Sequence, residues 1–479
     1  MAITSASGID AAPRKQTLAS NYVDFTSSAT EGWAQQYLPD LMEKEAEVYG
    51  KRTIAGFLAQ VGAEEPSAAD RVIWSEQGRL HLAYTAKYVS GNNKYEIEND
   101  IDGNDVGTTP GLRVGDMVIM SLANATAKGY VSAVDPDGDN GAEFTVLSYG
   151  AANMATALGS TATTSELIRV LVIGSEFEKG SGARTAANAP KFKSHSNKHI
   201  ILRDYYEVSG SDASAIGWVE ISGEEGQNGY LWYLKAEGDT RARFADYLEM
   251  TMLEAETAVD GAGAIGGTDQ STSDGTQGLF QAITTRGHQT TGITGVNAAT
   301  DLAEFDAILA EFDKQGAIEE NMLFVNRSVS LAIDDMLASM NTYGAGGTSY
   351  GVFENDEDMA LNLGFSGFRR GSYDFYKSDF KYLNDKGTRG GLNDTVNNIR
   401  GVVIPAGVSS VYDEQLGRNM KRPFLHVRYR ASQTDDRKMK SWITGSVGAA
   451  TSGKDVMEVH YLSERCLVTQ GANNFMLMN

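Results

Sequence analysis

The chain has 479 residues, enough for roughly two to four domains of ordinary size. Sixty-three Asp and Glu against 41 Lys and Arg give a net charge of −22, which makes phosphate backbones and anionic membranes poor general partners. The single cysteine, Cys466, excludes an internal disulfide and every multi-cysteine metal site, and reads as a small buried strand residue in a reducing compartment. No window approaches the roughly 18 consecutive apolar residues of a transmembrane helix, and MAITSASGIDAAPRKQ lacks the apolar region of a signal peptide. Fifty-two glycines with only eight prolines predict many tight turns and hairpins.

In chain order, residues 1–29 are small and polar, with Ile9, Leu18, Tyr22, Val23 and Phe25 as their few apolar anchors. Such a segment has no core of its own and would be held by a neighbouring subunit. Glu31–Tyr49 reads as a helix with Trp33, Tyr37, Leu41 and Met42 on one side and a kink at Pro39. From Arg71 the period shortens. Leu80, Leu82 and Tyr84 alternate as in a strand, and residues 91–110 are rich in turn residues. Over residues 111–174, DMVIMSLA, AKGYVSAVD, AEFTVLSY and ELIRVLVIG form a run of short strands that predicts a small barrel or sandwich. Residues 175–200 read as a loop that is locally basic through Arg184, Lys191, Lys193 and Lys198. Residues 201–222 read as a returning strand and a linker.

Residues 226–260 predict one long helix. Tyr230, Tyr233, Leu234, Phe244, Leu248, Met252 and Ala255 recur at helical spacing; Asp239, Arg243, Asp246 and Glu249 lie off that face and stay wet. Glu237 and Arg241, four apart on the stripe, are placed to pair. Gly238 interrupts the run, and glycines 261, 263, 266 and 267 stop it. At 1.5 Å per residue the rod would be roughly 45–50 Å long, either a brace for a flat subunit or an ordinary core helix. Beyond it, Asp301–Gln315 is an amphipathic helix striped by Leu302, Phe305, Leu309 and Phe312, with Asp301 as N-cap. NMLFVN is a buried strand, Ser328–Met340 a helix and FRRGSYDFYKSDFKYL a strand. IRGVVIPAGVSSVYD is a β segment broken at Pro405. The tail pieces PFLHVRYR, KSWITGSVG, DVMEVHYLSERCLVTQ and NNFMLMN are strands of a closing sheet. No repeat of fixed period is present.

The chemical motifs fail on context. Gly261, Gly263 and Gly266 match a dinucleotide fingerprint but follow a helix rather than a strand. The Gly347–Gly351 match to a nucleophile elbow has no strand leading in. Asp135, Asp137 and Asp139 start like a calcium loop, but Asn140 and Val146 stand where Gly and Glu are needed, so a hairpin turn is expected. His195 and His199 have zinc-like spacing among basic neighbours. Glu319-Glu320 and Asp334-Asp335 read as charged helix margins. No nucleophile, base or metal cluster emerges, so an enzyme is not expected, and no cofactor. The basic cluster Lys421, Arg422, Arg428, Arg430, Arg437, Lys438 and Lys440 could face nucleic acid; in a chain this acidic, acidic faces of sister subunits are the expected partner.

The order of these pieces resembles the major capsid protein of tailed bacteriophages, with its α+β Hong Kong 97-type capsid fold. The resemblance assigns residues 1–64 to an N-terminal arm and helix, and 65–225 to an extended β-hairpin loop with a β-rich insertion at about 111–174. It assigns 226–275 to the spine helix of a peripheral domain, 276–420 to an axial domain, and 421–479 to return strands that carry Arg465-Cys466-Leu467-Val468-Thr469-Gln470-Gly471. It implies self-assembly into hexamers and pentamers of an icosahedral shell that encloses double-stranded DNA without sequence-specific contact. Portal, scaffolding and cement proteins would be partners, with no membrane; assembly would occur in the host cytoplasm and the product would be the virion. Intersubunit contacts are then expected at Arg14 and Lys15 of the arm, at Arg184, Lys191, Lys193 and Lys198 at a basic loop tip, and at Arg241 and Arg243 of the helix. Rival readings are an extracellular surface or adhesin-type structural protein, and a nanocompartment shell protein of the same fold.

Overall fold

In the computed structural model the described residues are 58, 63–77, 81–91, 93–101, 103, 105–106, 110–122, 125–139, 141–159, 167–182, 192–211, 231–258, 274–316, 318–342, 367–392, 398–406, 408–413, 418–446 and 451–479. Apart from Leu58, Ala63 and Glu64, the predicted arm with its helix lies outside them, as do both glycine motifs, Arg14, Lys15, Arg184 and Lys191. The chain divides into two units, residues 75–194 and the remainder.

Strands β1 (Ala63–Ser67) and β2 (Arg71–Gln77) lead into the 75–194 unit, which is a closed six-stranded barrel. Its strands are β3 (Ala83–Ser90), β4 (Lys94–Asp100), β5 (Asp116–Leu122), β6 (Ala125–Gly138), β7 (Gly141–Ser148) and β8 (Ile168–Ser175), closed in the order β3-β4-β7-β6-β5-β8. Alternation builds it: Tyr95 and Ile97 on β4, Val118 and Met120 on β5, and Phe144 and Val146 on β7 all point inward and are buried. Helix α1 (Met154–Ala157) drops Met154 into the same core, capped by the Asn153 side chain, which accepts from Thr156 N at 2.7 Å. At Gly129 a Cβ would collide with Met154 and Val146, so only glycine fits under the helix. The barrel is larger than the predicted 111–174 insert. Residues 91–110, read as turns, contribute β4, because two inward apolar residues suffice to seat a strand among so many polar ones. The 135–141 stretch is the expected hairpin turn, with Gly138 paired to Gly141.

The chain returns through β9 (Phe192–Lys198), which pairs with β2, and β10 (Ile200–Ser209). The predicted basic loop at 175–200 is therefore a strand over its last third. Helix α2 (Leu231–Glu254) follows, 24 residues long. It is roughly 36 Å over its described residues and ends at Glu254, short of the predicted end at 260; residues 226–230 of the predicted rod lie outside the described residues. It stops before the glycine cluster because the chain turns back on itself. Thr257 bridges Gly275, and Gly278 N donates to Ala255 O at 2.8 Å. Phe244, Leu248 and Met252 of the predicted stripe are buried. Glu249, expected to stay wet, is buried too and accepts from Leu58 N at 3.2 Å. Glu237 accepts from the Tyr461 hydroxyl at 3.5 Å.

Beyond α2 come α3 (Leu279–Arg286), β11 (His288–Thr290), α4 (Ala298–Gln315), β12 (Glu320–Val325), α5 (Arg327–Thr342), β13 (Gly367–Arg370), β14 (Tyr373–Asp379) and α6 (Lys381–Asn384). The cap of α4 is Asn297, whose side chain accepts from Thr300 N at 2.9 Å. Asp301, expected there, is instead buried one turn in and accepts from Gly295 N at 2.9 Å. FRRGSYDFYKSDFKYL is a hairpin plus a short helix rather than one strand; Gly371, at φ +63°, makes its turn. Then β15 (Gly401–Pro405), the β16 (Val408–Asp413) and β17 (Arg418–Pro423) ribbon, β18 (Leu425–Arg430), β19 (Lys440–Gly445), β20 (Val456–Thr469) and β21 (Met476–Met478) complete the chain.

Two sheets organise this unit. One runs β1-β18-β20-β10, with β19 on β20; the other runs β11-β21-β15-β12-β14-β13. The tail thus serves both sheets: β18, β19 and β20 close the first, and β21 crosses to the second. Between the sheets lies a core of Leu425, Val427 and Leu467 against Val402, Ile404 and Leu477, joined by Met252 and Leu253 of α2 and by Leu279 and Ile283 of α3. Phe305, Ile308 and Phe312 of α4, with Ile333 and Met336 of α5, cover the other face of the second sheet. Phe244 and Leu248 of α2 pack on Val459 and Tyr461 of β20. Each such burial stabilises by about 1.5–3 kcal/mol.

Candidate functional site

The expected basic cluster is neutralised within its own chain. Arg428 pairs with Glu65 at 2.7 Å, Arg437 with Glu464 at 2.7 Å and Lys440 with Asp435 at 2.6 Å; Arg430 meets Asp70 and Lys438 meets Glu64. Parallel pairing of β1 with β18 carries the two carboxylates, Glu64 and Glu65, alongside these cations. Arg465 is buried beside them and donates to Ser463 Oγ and Lys438 O, both at 2.9 Å. Its burial lowers the guanidinium below the usual arginine value, against the pull of Glu64 and Glu249. Lys421 and Arg422 lie on β17. For the other five the expectation of acidic sister faces gives way to an internal charge lock; for Arg428, Arg430 and Lys438 it is invisible in sequence, because Glu65, Asp70 and Glu64 sit more than 350 residues upstream.

Among the expected intersubunit residues, Lys193 is exposed on β9, and Lys198 pairs with Asp274 at 2.5 Å. Arg241 is exposed on α2, and Arg243 reaches Asp204 at 3.4 Å. Lys193 and Lys198 lie at either end of β9, the strand paired with β2. Their strand is pinned by Asn197, which is buried and makes five hydrogen bonds. Its Nδ2 donates to Leu467 O at 2.7 Å and Gln277 O at 3.0 Å; its Oδ1 accepts from Gln277 N, Lys198 N and Thr276 Oγ1 at 2.9–3.0 Å. Nearby, Arg286 lies over the Trp74 ring at 5.6 Å, and His195 packs against the same ring.

The remaining motifs resolve structurally. His195 lies against an indole, and His199 Nδ1 sits 3.1 Å from Asp70 O, so the pair does not converge as zinc ligands. Burial lowers the His199 imidazole below 6.5 and pushes the Cys466 thiol up to about 12. Cys466 is fully buried on β20, as expected. Asp334, read as a helix margin, is an ion pair with the buried Lys377 at 2.5 Å. Among the described residues no three His, Cys, Asp or Glu side chains could hold a metal ion.

What stays open is a sheet face. On the side of β10, β20 and β19 away from α2, Tyr205 stands opposite His460, which stands opposite Trp442. The rings stack at centroid distances of 6.0 and 5.2 Å. Tyr205 is 55% and Trp442 37% exposed. His460 Nε2 sits 2.7 Å from Thr444 Oγ1 and 3.2 Å from Glu458 Oε2, and Lys454 joins Glu458 at 3.0 Å. The period-two exposure of Tyr205 is legible in ILRDYYEVSG; its neighbours come from chain segments more than 230 residues away and are not.

No protein-family model and no curated protein matches the chain. Solved structures resemble it at low identity. The capsid structure of the cyanophage P-SCSP1u is 8% identical, covers 93% of this chain and 93% of its own, and superposes at a TM-score of 0.40. A structure from Mycobacterium phage Ogopogo is 12% identical over 93% of this chain and 97% of its own, at 0.38. One from Mycobacterium phage Adephagia is 8% identical over 95% and 98%, at 0.37. These solved structures, similar over most of their length, come from phages, and the first is described as a capsid.

Proposed function

We propose that this chain is a phage major capsid protein of the Hong Kong 97 type, a subunit that builds hexamers and pentamers of an icosahedral shell around double-stranded DNA. The observation that carries the reading is the setting of α2. A 24-residue helix packs through Phe244 and Leu248 onto the long closing strand β20, and the chain reaches that helix only after leaving and rejoining the same unit around residues 75–194. That is the element order of a spine helix, an extended loop and returning strands, here with a barrel as the loop's insertion. The second sheet with α4 and α5 corresponds to the axial domain. Each intersubunit contact need be only modest, because many identical contacts multiply. The net charge of −22 keeps the inner surface from adhering to packaged DNA. Scaffolding, portal and cement proteins are the partners this reading implies, with assembly in the host cytoplasm and the virion as destination. Arg14, Lys15, Arg184, Lys191, Lys193, Lys198, Arg241 and Arg243 remain its candidate contacts.

Electron microscopy of the purified full-length chain, alone and with the scaffolding protein of its genome, tests this. Closed particles of uniform size are expected. Fibres or flat lattices favour a surface-layer or adhesin-type protein, and small oligomers under all conditions overturn the shell.

A further inference from the structure

The open face of β10, β20 and β19 carries three parallel rows, set by the strand register. Arg203, Leu462 and Lys440 form the first; Tyr205, His460 and Trp442 the second; Glu207, Glu458 and Thr444 the third. Successive rows lie about 7 Å apart along the strands. Arg203, Tyr205 and Glu207 are all exposed, on alternate positions of one strand. The first row is basic: Arg203 and Lys440 outweigh Asp435, which holds Lys440 at 2.6 Å. The third is acidic: Glu207 and Glu458 outweigh Lys454, which holds Glu458. The face is therefore a dipolar patch with an aromatic midline.

Such a patch complements itself in one arrangement. We propose that it is an isologous contact with a second copy of this chain, about a two-fold axis running along the aromatic row. That rotation lays the first row of one copy over the third row of the other. Arg203 meets Glu207 of the partner subunit, twice by symmetry, and the aromatic midlines face each other. A two-fold axis along the strands would instead set like charge on like, which costs rather than gains. Tyrosine and tryptophan at the centre with charged pairs outside is the usual make-up of a contact that must exclude water only at its middle. The patch is small, so one contact is weak, and it matters where many are made at once. Charge complementarity within the patch carries this inference, and it does not depend on the shell reading.

Sedimentation velocity on the full-length chain across a concentration series, at low and high salt, tests the contact in four proteins: the parent, Arg203→Glu, Glu207→Arg and the double exchange. Each single reversal is expected to weaken self-association by about tenfold or more, and the double exchange to restore it, because the swapped pair is complementary again. Trp442→Ala weakens it in every charge background. Far-UV circular dichroism confirms that each variant is folded; where a reversal is not, Arg203→Gln and Glu207→Gln are read for the same loss. Association unchanged in the singles, a double exchange as weak as either single, or a parent that stays monomeric overturns the inference. Closed particles formed equally well by all four proteins sink the contact and leave the shell standing. Charge-sensitive pairs with no particles under any condition do the reverse.

Discussion

Asn197 shows how much one side chain holds. Its amide joins β9, the 276–277 segment and β20, and every partner is a backbone group or a buried hydroxyl. Asn197→Ala strands those groups away from water, so a loss of about 2–3 kcal/mol is expected in urea unfolding. Two residues on, His199 responds to pH. Burial lowers its imidazole below 6.5, so in the window under 6.5 the unfolded chain holds a proton that the folded chain lacks. Stability should fall as the pH drops through that window and be indifferent above it. Urea midpoints compared at about pH 7.5 and about pH 5.5 should show a smaller drop in His199→Gln than in the parent. Neither role is legible locally. The sequence around 195–199 offers two histidines and an asparagine among lysines, and their meaning comes from Trp74, Asp70, Gln277 and Leu467.

At the scale of elements, periodicity located α2 and the stripe of Phe244, Leu248 and Met252, because helical spacing is local. It overshot the helix end, because the stop is a tertiary event in which the chain at 274–278 takes the hydrogen bonds after Glu254. It misjudged Glu249, whose partner Leu58 is 191 residues away. Gly238 is exposed on this helix with no atom within 4 Å of a built Cβ. Gly238→Ala should therefore stabilise by about 1 kcal/mol in urea or thermal unfolding. The barrel offers the opposite case. Gly129 lies under Met154 and against Val146, so Gly129→Val overfills that core at a cost of about 3 kcal/mol. With two structural units, the loss should appear as a separate early transition rather than a uniform shift.

For the whole molecule, the charge pattern decides behaviour. The chain is acidic, and Arg428, Arg430, Arg437, Lys438 and Lys440 are already paired internally, so contact with another acidic copy would draw mainly on basic groups outside this cluster. Lys193 is among the exposed ones. In the shell reading it and Lys191 serve as intersubunit cations. Lys191→Glu with Lys193→Glu should abolish assembly or make it sensitive to salt while the melting temperature stays unchanged. Turbidity and electron microscopy at two ionic strengths check this, and normal particles from the double variant would remove both residues from the contact set.

By itself the sequence determined what depends on near neighbours: the α2 and α4 stripes, the α5 helix, the run of barrel strands, the hairpin at 135–141 and the burial of Cys466. Only the tertiary structure decided what depends on distant ones. Six strands close where four or five were read, β21 leaves its sister strands for the second sheet, β1 brings the carboxylates that pair with Arg428 and Lys438, and three aromatic residues from β10, β20 and β19 meet in one row. The physical reason is range. Side-chain spacing fixes which face of an element is apolar, whereas register and pairing across hundreds of residues fix which faces meet.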